Sequence, residues 1–404
     1  MRPDPGRLRR LAPLGLTAAL LALGLVPVPR SAGWARSALL SLRSPEPNRA
    51  DREAVAGGYY EDLLGPPGGG AGDEPGKRLP GRPAAGPSIH DLGAIRYRAG
   101  DFLGHDLVPN LRRTAFGRPF ATNAFGLRDR PNALGKPPGT FRIALLGSSI
   151  DMGWGVGNGE TYGSLLEAWL NAHAARRGLA RRFEVLNFAV AAYSPAQRLE
   201  SYRRKAVAFR PDLVLYSATM LDPRLSAIHL GGLLRDRTDL RYDFVRRCVA
   251  AAGLTAEDLR RGSDGALLHR DAVKAKLRPV LWPLADGALG ELAASCRAGG
   301  RPLVGLIVPR VGLADAPDAR AEAVARHRQI AARHGVPVID LSGTFDDQDP
   351  ADLKITPGDD HPNALGHRLL FLALARALVD DESRYRTLFS EARDQGPGTR
   401  DQGR

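Results

Sequence analysis

Cysteine and lysine are nearly missing from this 404-residue chain, which holds two of the first and six of the second. Cys248 and Cys296 are too few for a disulfide framework or a thiolate zinc site, and both fall in helix-like stretches. They are expected as buried thiols, with a bond between them left open for an exported domain. The six lysines stand against 51 arginines in a chain rich in alanine, glycine and proline. That pattern points to biased base composition, so the net charge of +13 does not mark a phosphate-binding face. Eight arginines lie in the first 50 residues against Asp4 and Glu46, and the remaining charge is diffuse. Nucleic acid is set aside as a partner. His90, His105, His173, His229, His269, His327 and His334 show no metal-ligand spacing, which sets aside a metal site as well. The run Gly153, Gly155, Gly157, Gly159 has Asn158 where a dinucleotide loop needs its third glycine, and no Walker lysine follows. No internal repeat is present.

What is present begins with Arg2, Arg7, Arg9 and Arg10 before an uncharged apolar run, 11–28, closed by Arg30. This is the pattern of an export signal or a membrane anchor. Its 18 residues would span ~27 Å as a helix, and the cleavage candidate Ala35-Arg36-Ser37 is poor, so an uncleaved anchor is expected. A positive flank held in the cytoplasm places the rest outside it, in the periplasm or on the cell surface. A Gly/Pro-rich linker follows over 31–89, with eight glycines and six prolines among 65–88. The catalytic-sized domain is expected over 90–380, and 381–404 reads as a disordered tail.

Within 90–380, short apolar runs at 142–146, 185–190, 212–217, 302–308 and 337–341 alternate with helical patterns at 161–177, 194–209, 315–334 and 363–379. Strands alternating with helices predict a parallel sheet covered by helices. Residues 224–300 are too long for an ordinary crossover and read as a mostly helical insertion covering one end of the sheet, with Trp282 as a packing residue. In an open parallel sheet, chemistry collects where strands end, which selects Gly147-Ser148-Ser149.

The segment from Thr122, TNAFGLRDRPNALGKPPGTFRIALLGSSIDMGWGV, resembles the first block and the N-x-x-G-x-R lead-in of the SGNH (GDSL-like) hydrolase superfamily. The resemblance makes Ser149 the nucleophile, whose own backbone N–H can point at the developing oxyanion, with Ser148 where the family usually has Asp. Asn123, Gly126 and Arg128 of the lead-in either line the entrance or brace the first strand. The run from Val185 to Ser194 is similar to the family's second block, where glycine amides donate to the oxyanion. Ala192 and Ala189 take the glycine places, and a backbone donor survives that change where φ is negative.

The third block departs further: Leu221 stands where the family has an oxyanion-binding Asn, leaving Thr219 as a substitute donor. The run from Pro357 to His367, PGDDHPNALGH, closely resembles the terminal block. It makes His361 the general base and implies an orienting carboxylate. The family's usual position is Gly358, so Asp359 is selected, because residues two apart in an extended segment project to one side; Asp360 is the alternate. His367 is expected as a structural residue on the last helix.

The resemblance covers about 122–379. It implies a flavodoxin-like three-layer α/β/α fold with a mainly parallel five-stranded sheet, and no metal or organic cofactor. The expected activity is ester hydrolysis outside the cytoplasm through an acyl-Ser149 intermediate, on an acylated small molecule or polysaccharide. Two rivals stay open. One is O-acyl transfer to a cell-envelope or exported polysaccharide, in company with a partner membrane acyltransferase. The other is a catalytically degenerate glycan-binding protein, motivated by Ser148 and Leu221.

Overall fold

The computed structural model describes residues 88–260, 262, 268–312, 317–357 and 359–389. The chain divides into two units, Met1–Gly58 and Tyr59–Arg404, and the first lies wholly outside the described residues. So do the expected anchor and nearly all of the expected linker. Among the described residues no helix is long and apolar enough to cross a membrane.

The described part opens with two antiparallel hairpins of very short strands. β1 (Ile95–Tyr97) pairs with β2 (His105–Leu107), and β3 (Arg112–Ala115) pairs with β4 (Arg118–Ala121). The α/β part comes next in chain order: β5 (Thr140–Leu146), α1 (Ser149–Met152), α2 (Tyr162–Arg176), β6 (Arg182–Asn187), α3 (Pro195–Arg204) and β7 (Leu213–Ala218). Four helices succeed them: α4 (Asp222–Arg235), α5 (Asp243–Ala251), α6 (Arg270–Leu277) and α7 (Leu281–Ala298). The chain then makes β8 (Leu303–Ile307), α8 (Pro317–Arg333), β9 (Val338–Asp340), α9 (Pro350–Leu353), β10 (Lys354–Thr356), β11 (Asp359–Pro362), α10 (Ala364–Asp380) and α11 (Arg386–Phe389).

Five strands form one parallel sheet in the order β6-β5-β7-β8-β9. This is the flavodoxin-like order, in which the chain leaves the first strand to one side and then to the other, and the crevice at that switch lies beyond the carboxyl end of β5. Along β5 the side chains alternate between faces, as the pleat requires. Ala144 and Leu146 join a core with α3, α4, α5 and α7, whereas Ile143 and Leu145 join another with α2, α10 and α11. Both faces are buried, hence the continuous apolar runs.

Three boundaries differ from expectation. The final helix of the supposed insertion, α7, packs across a face of the sheet through Leu289, Leu292 and Cys296, so it does not merely cover an end. Ile89 is fully buried, placing the start of the folded part inside the expected linker. Residues 381–389 are no frayed tail: Tyr385, Leu388 and Phe389 are buried against the α2 and α10 face, and Phe389 meets Trp169 edge-on at 6.2 Å. A few apolar anchors in a polar stretch sufficed. Cys248 and Cys296 are both free and buried, and Trp282 packs edge-on to His327 at 5.0 Å.

The hairpins pack onto loops at one end of the sheet. Their buried residues, among them Leu103, Leu107 and Phe120, form a third apolar cluster with Met152, Trp154 and Ala189 through Tyr193. They therefore cover the carboxyl end of the sheet.

Candidate active site

β5 ends at Leu146, and Gly147 and Ser148 turn the chain into α1. A Cβ on Gly147 would lie 2.1 Å from Asp151 Oδ2, so the turn admits only glycine. Asp151 closes it: Oδ2 accepts the Ser148 N–H at 2.7 Å and Oδ1 accepts the Tyr162 hydroxyl at 2.6 Å. Asn187 on β6 donates to the Asp151 carbonyl at 2.9 Å. Burial pushes the Asp151 carboxyl above its ordinary range, and hydrogen bonds from Tyr162, Ser217 and Ser148 pull the other way. Sequence reasoning did not single out Asp151, although Ser148-x-x-Asp151 is the spacing of a reciprocal helix cap.

This turn presents Ser149. Its Oγ lies 2.7 Å from His361 Nε2, and His361 Nδ1 lies 2.5 Å from Asp359 Oδ1. The same Asp359 oxygen accepts the His361 backbone N–H at 2.9 Å. Both residues sit on β11, two apart, and project together as an extended segment requires. Burial works to raise the Asp359 carboxyl, but the facing His361, its hydrogen bonds and Arg310 hold it below the ordinary value. Asp360 points away, to Arg310 at 2.9 Å and Lys354 at 3.2 Å. The structure thus brings Ser149, His361 and Asp359 together and leaves the alternate Asp360 outside. Ser149 is 1% exposed and His361 5%, so the reactive atoms lie beneath the surface.

The expected oxyanion donors fare unequally. The Ser149 N–H opens α1 and has no carbonyl of its own helix to bond. Ala189 is corrected: its N–H donates to Asn187 Oδ1 at 3.0 Å and is already spent. Ala192 makes no hydrogen bond through its N–H among the described residues, but its φ is 62°, contrary to the negative φ expected. Thr219 is held within its own turn, its N–H directed to Asp222 and its hydroxyl oxygen accepting from Leu221, both at 3.4 Å, with no bond to Ser149. Leu221 packs against the apolar cover and offers no donor. The turn itself is clamped from behind, where the fully buried Arg198 pairs with Asp222 at 2.7 and 3.0 Å and donates to the Ser217 carbonyl at 2.8 Å.

The lead-in motif acquires a physical account. Asn123 Oδ1 accepts the N–H groups of Phe125 and Leu127, closing a local turn. Gly126, at φ +73°, lies so close to β2 that a Cβ would meet the Leu107 carbonyl oxygen at 2.9 Å. That turn delivers Arg128, buried and donating to the carbonyls of Met152, Gly153 and Val156, the loop just after Ser149. Burial pulls its guanidinium down to about 9, so it stays charged at neutral pH. Arg128 braces the loop after the nucleophile, and does not line the entrance. His367 is buried on α10, where Nδ1 accepts the Tyr162 N–H at 3.3 Å; burial pulls it down to about 3.

Residues 145–369 match the family model described as GDSL-like Lipase/Acylhydrolase, more than half of the chain and inclusive of both ends of the site. The chain belongs to the GDSL-like lipase/acylhydrolase family. It is similar to LAE5, an alpha/beta hydrolase enzyme from the metagenome of Lake Arreo, at 19% identity over 59% of this chain and 94% of that one, TM-score 0.36. It is similar to the acetylxylan esterase Axe2 from Geobacillus stearothermophilus at 14% identity over 58% and 93%, TM-score 0.38. For the esterase EstA from Pseudoalteromonas the values are 13% over 61% and 98%, TM-score 0.36. Likenesses this distant carry no argument about substrate. No curated protein matches the chain. The GDSL-like family match leaves out the hairpins and Arg128.

Proposed function

We propose that this GDSL-like protein is a serine esterase that acts outside the cytoplasm, tethered by its apolar segment 11–28, on an acylated small molecule or polysaccharide. One observation carries the catalytic part: the unbroken hydrogen-bonded chain from Ser149 Oγ through His361 to Asp359. His361 Nε2 takes the Ser149 proton as Oγ attacks the ester carbonyl, while Asp359 accepts the Nδ1–H and offsets the imidazolium charge. The developing oxyanion is met by the N–H groups of Ser149 and Ala192. The tetrahedral species then breaks its bond to the alcohol, which leaves with the Nε2 proton. Water attacks the acyl-serine, gives a proton to His361, and the acid departs as Ser149 is reprotonated.

The burial of Ser149 and His361 favours a second reading, in which the acyl group passes to a glycan hydroxyl, with a partner membrane acyltransferase supplying the acyl group. A third reading, glycan binding without catalysis, rests on Leu221. One experiment separates them. The full chain is treated with a fluorophosphonate probe and with an acyl ester, with and without an oligosaccharide acceptor. Ser149-dependent labelling and acid release support the esterase; acyl appearing on the oligosaccharide supports transfer. Absence of labelling in a folded chain that still binds glycan overturns both catalytic readings.

A further inference from the structure

Two loops carry the site, 147–156 and 188–194, and both are fastened to residues 88–128, outside the stretch that matches the family. Arg128 holds the first loop. The second is held by His105 on β2, whose Nε2 lies 2.8 Å from the Ala191 carbonyl oxygen. A carbonyl only accepts, so Nε2 carries the ring proton and donates it. The contact is returned: the Tyr193 hydroxyl donates to the His105 carbonyl at 3.0 Å, and the two rings meet edge-on at 5.2 Å. His105 is fully buried, and its Nδ1 has no hydrogen-bond partner among the described residues. A buried nitrogen left without a partner is a cost that packing alone does not require.

The peptide between Ala191 and Ala192 gives this bond a consequence. The described chain has no cis peptide bond, and in a planar trans peptide the carbonyl and the next N–H point in opposite directions. Fixing the Ala191 carbonyl on His105 therefore fixes the Ala192 N–H away from β2. At φ 62° Ala192 occupies a region that alanine leaves unless it is held. We propose that His105 is a positioning residue for catalysis, aiming the Ala192 amide at the oxyanion by anchoring the other side of the same peptide plane. The inference rests on the serine-esterase reading and assigns to the hairpin layer a part in the reaction.

Because burial also pulls His105 below the ordinary imidazole value, the ring stays neutral and its single N–H stays committed to Ala191. The test uses the full chain and two variants. His105→Phe keeps a ring against Tyr193 and removes the donor; His105→Gln restores an N–H near the Nε2 position. Ester hydrolysis is measured as kcat and KM, with fluorophosphonate labelling and the thermal midpoint as controls. In His105→Phe, kcat is expected to fall about 10²-fold with KM nearly unchanged, the mark of an interaction made only in the transition state. His105→Gln is expected to recover to within about tenfold of the parent. A folded His105→Phe with the parent kcat overturns the positioning role while leaving the esterase reading intact. A loss that Gln does not rescue, or one confined to KM, overturns it too. If the parent chain neither labels nor hydrolyses, the esterase reading falls first and this inference with it.

Discussion

On one side of Ser149, β11 supplies His361 and Asp359, and each bond from hydroxyl to imidazole to carboxylate is made at 2.7 Å or less. On the other, β6 and β7 end in residues that offer little: Ala189 has spent its N–H, Thr219 is turned into its own loop, and Leu221 is apolar. Proton transfer needs a side-chain base and its orienter, and both are in place. In the proposed esterase, oxyanion stabilisation falls to two backbone amides, and each is set by a contact beyond the strand that leads to it. The Ser149 amide depends on the turn closed by Asp151, and the Ala192 amide on a peptide anchored to His105. On the esterase reading proposed above, the contrast places the limit on rate in the oxyanion wall.

The strongest test of that contrast is on the triad side. Asp359→Asn is expected to lower kcat by about 10³–10⁴-fold, because a neutral amide neither fixes the His361 tautomer nor offsets its charge. Asp360→Asn, which loosens only Arg310 and Lys354, is expected to change kcat by less than about threefold. Equal losses in steady-state hydrolysis would break the assignment of the two carboxylates. On the oxyanion side, Leu221→Asn puts an amide where the wall has none. It is expected to raise kcat about tenfold, less than the 10²–10³ a preorganised donor supplies, because that amide must first turn out of an apolar layer. Unchanged kcat in the folded variant would show that the two backbone amides already suffice.

Legibility in the sequence divides along the same line. The strands of the main sheet were legible because both faces are buried and the apolar runs are continuous. The triad was legible because Asp359 and His361 lie two apart on one short strand, where pleat geometry does the selecting. Two features were harder. The strands of the hairpins are three or four residues long, and β3 exposes Arg112, Arg113 and Thr114, so no periodic signal marks a layer that is nonetheless pinned to the site. Nothing about the residue Ala192 announces a positive φ, and the group that holds the neighbouring Ala191 carbonyl lies on β2, 87 positions before Ala192 at His105. The loss of Ala189 as a donor was readable in principle: an Asn side chain bonding the N–H two residues on is a local turn pattern.

The terminal block holds two histidines that sharpen the comparison from the stability side. His361 faces Ser149 and Asp359, whereas His367 is buried against Tyr162 with its value pulled down to about 3 from an ordinary 6.5. Between those values the unfolded chain binds a proton that the folded chain refuses, so this contribution to stability is present above about pH 6.5 and is lost as pH falls toward 3. In His367→Gln the term disappears. The unfolding free energy from urea titrations between pH 6 and 4 is expected to depend on pH less steeply, by up to about 1.4 kcal/mol per pH unit. An unchanged slope would mean that His367 is protonated within the fold.

The smallest expected effect is the most discriminating for the oxyanion wall. Ala192→Gly relieves a left-handed alanine, which stabilises by about 1–2 kcal/mol. It also frees the unfolded chain, at a cost of about 0.4–1 kcal/mol, and removes a buried methyl worth about 0.8 kcal/mol. These terms nearly cancel, so the thermal midpoint is expected to move by no more than about 4 °C in either direction. The amide itself survives, and with the Ala191 carbonyl still on His105 its direction is kept; kcat is expected to stay within about threefold of the parent. A kcat that falls tenfold or more at unchanged stability would show that the methyl, buried in the same apolar cluster as Leu225, Tyr193 and Trp154, shares the aiming of the amide with His105. A kcat that holds assigns the aiming to the hydrogen bond from β2, and explains how the wall tolerates alanine where a glycine would be conformationally at rest.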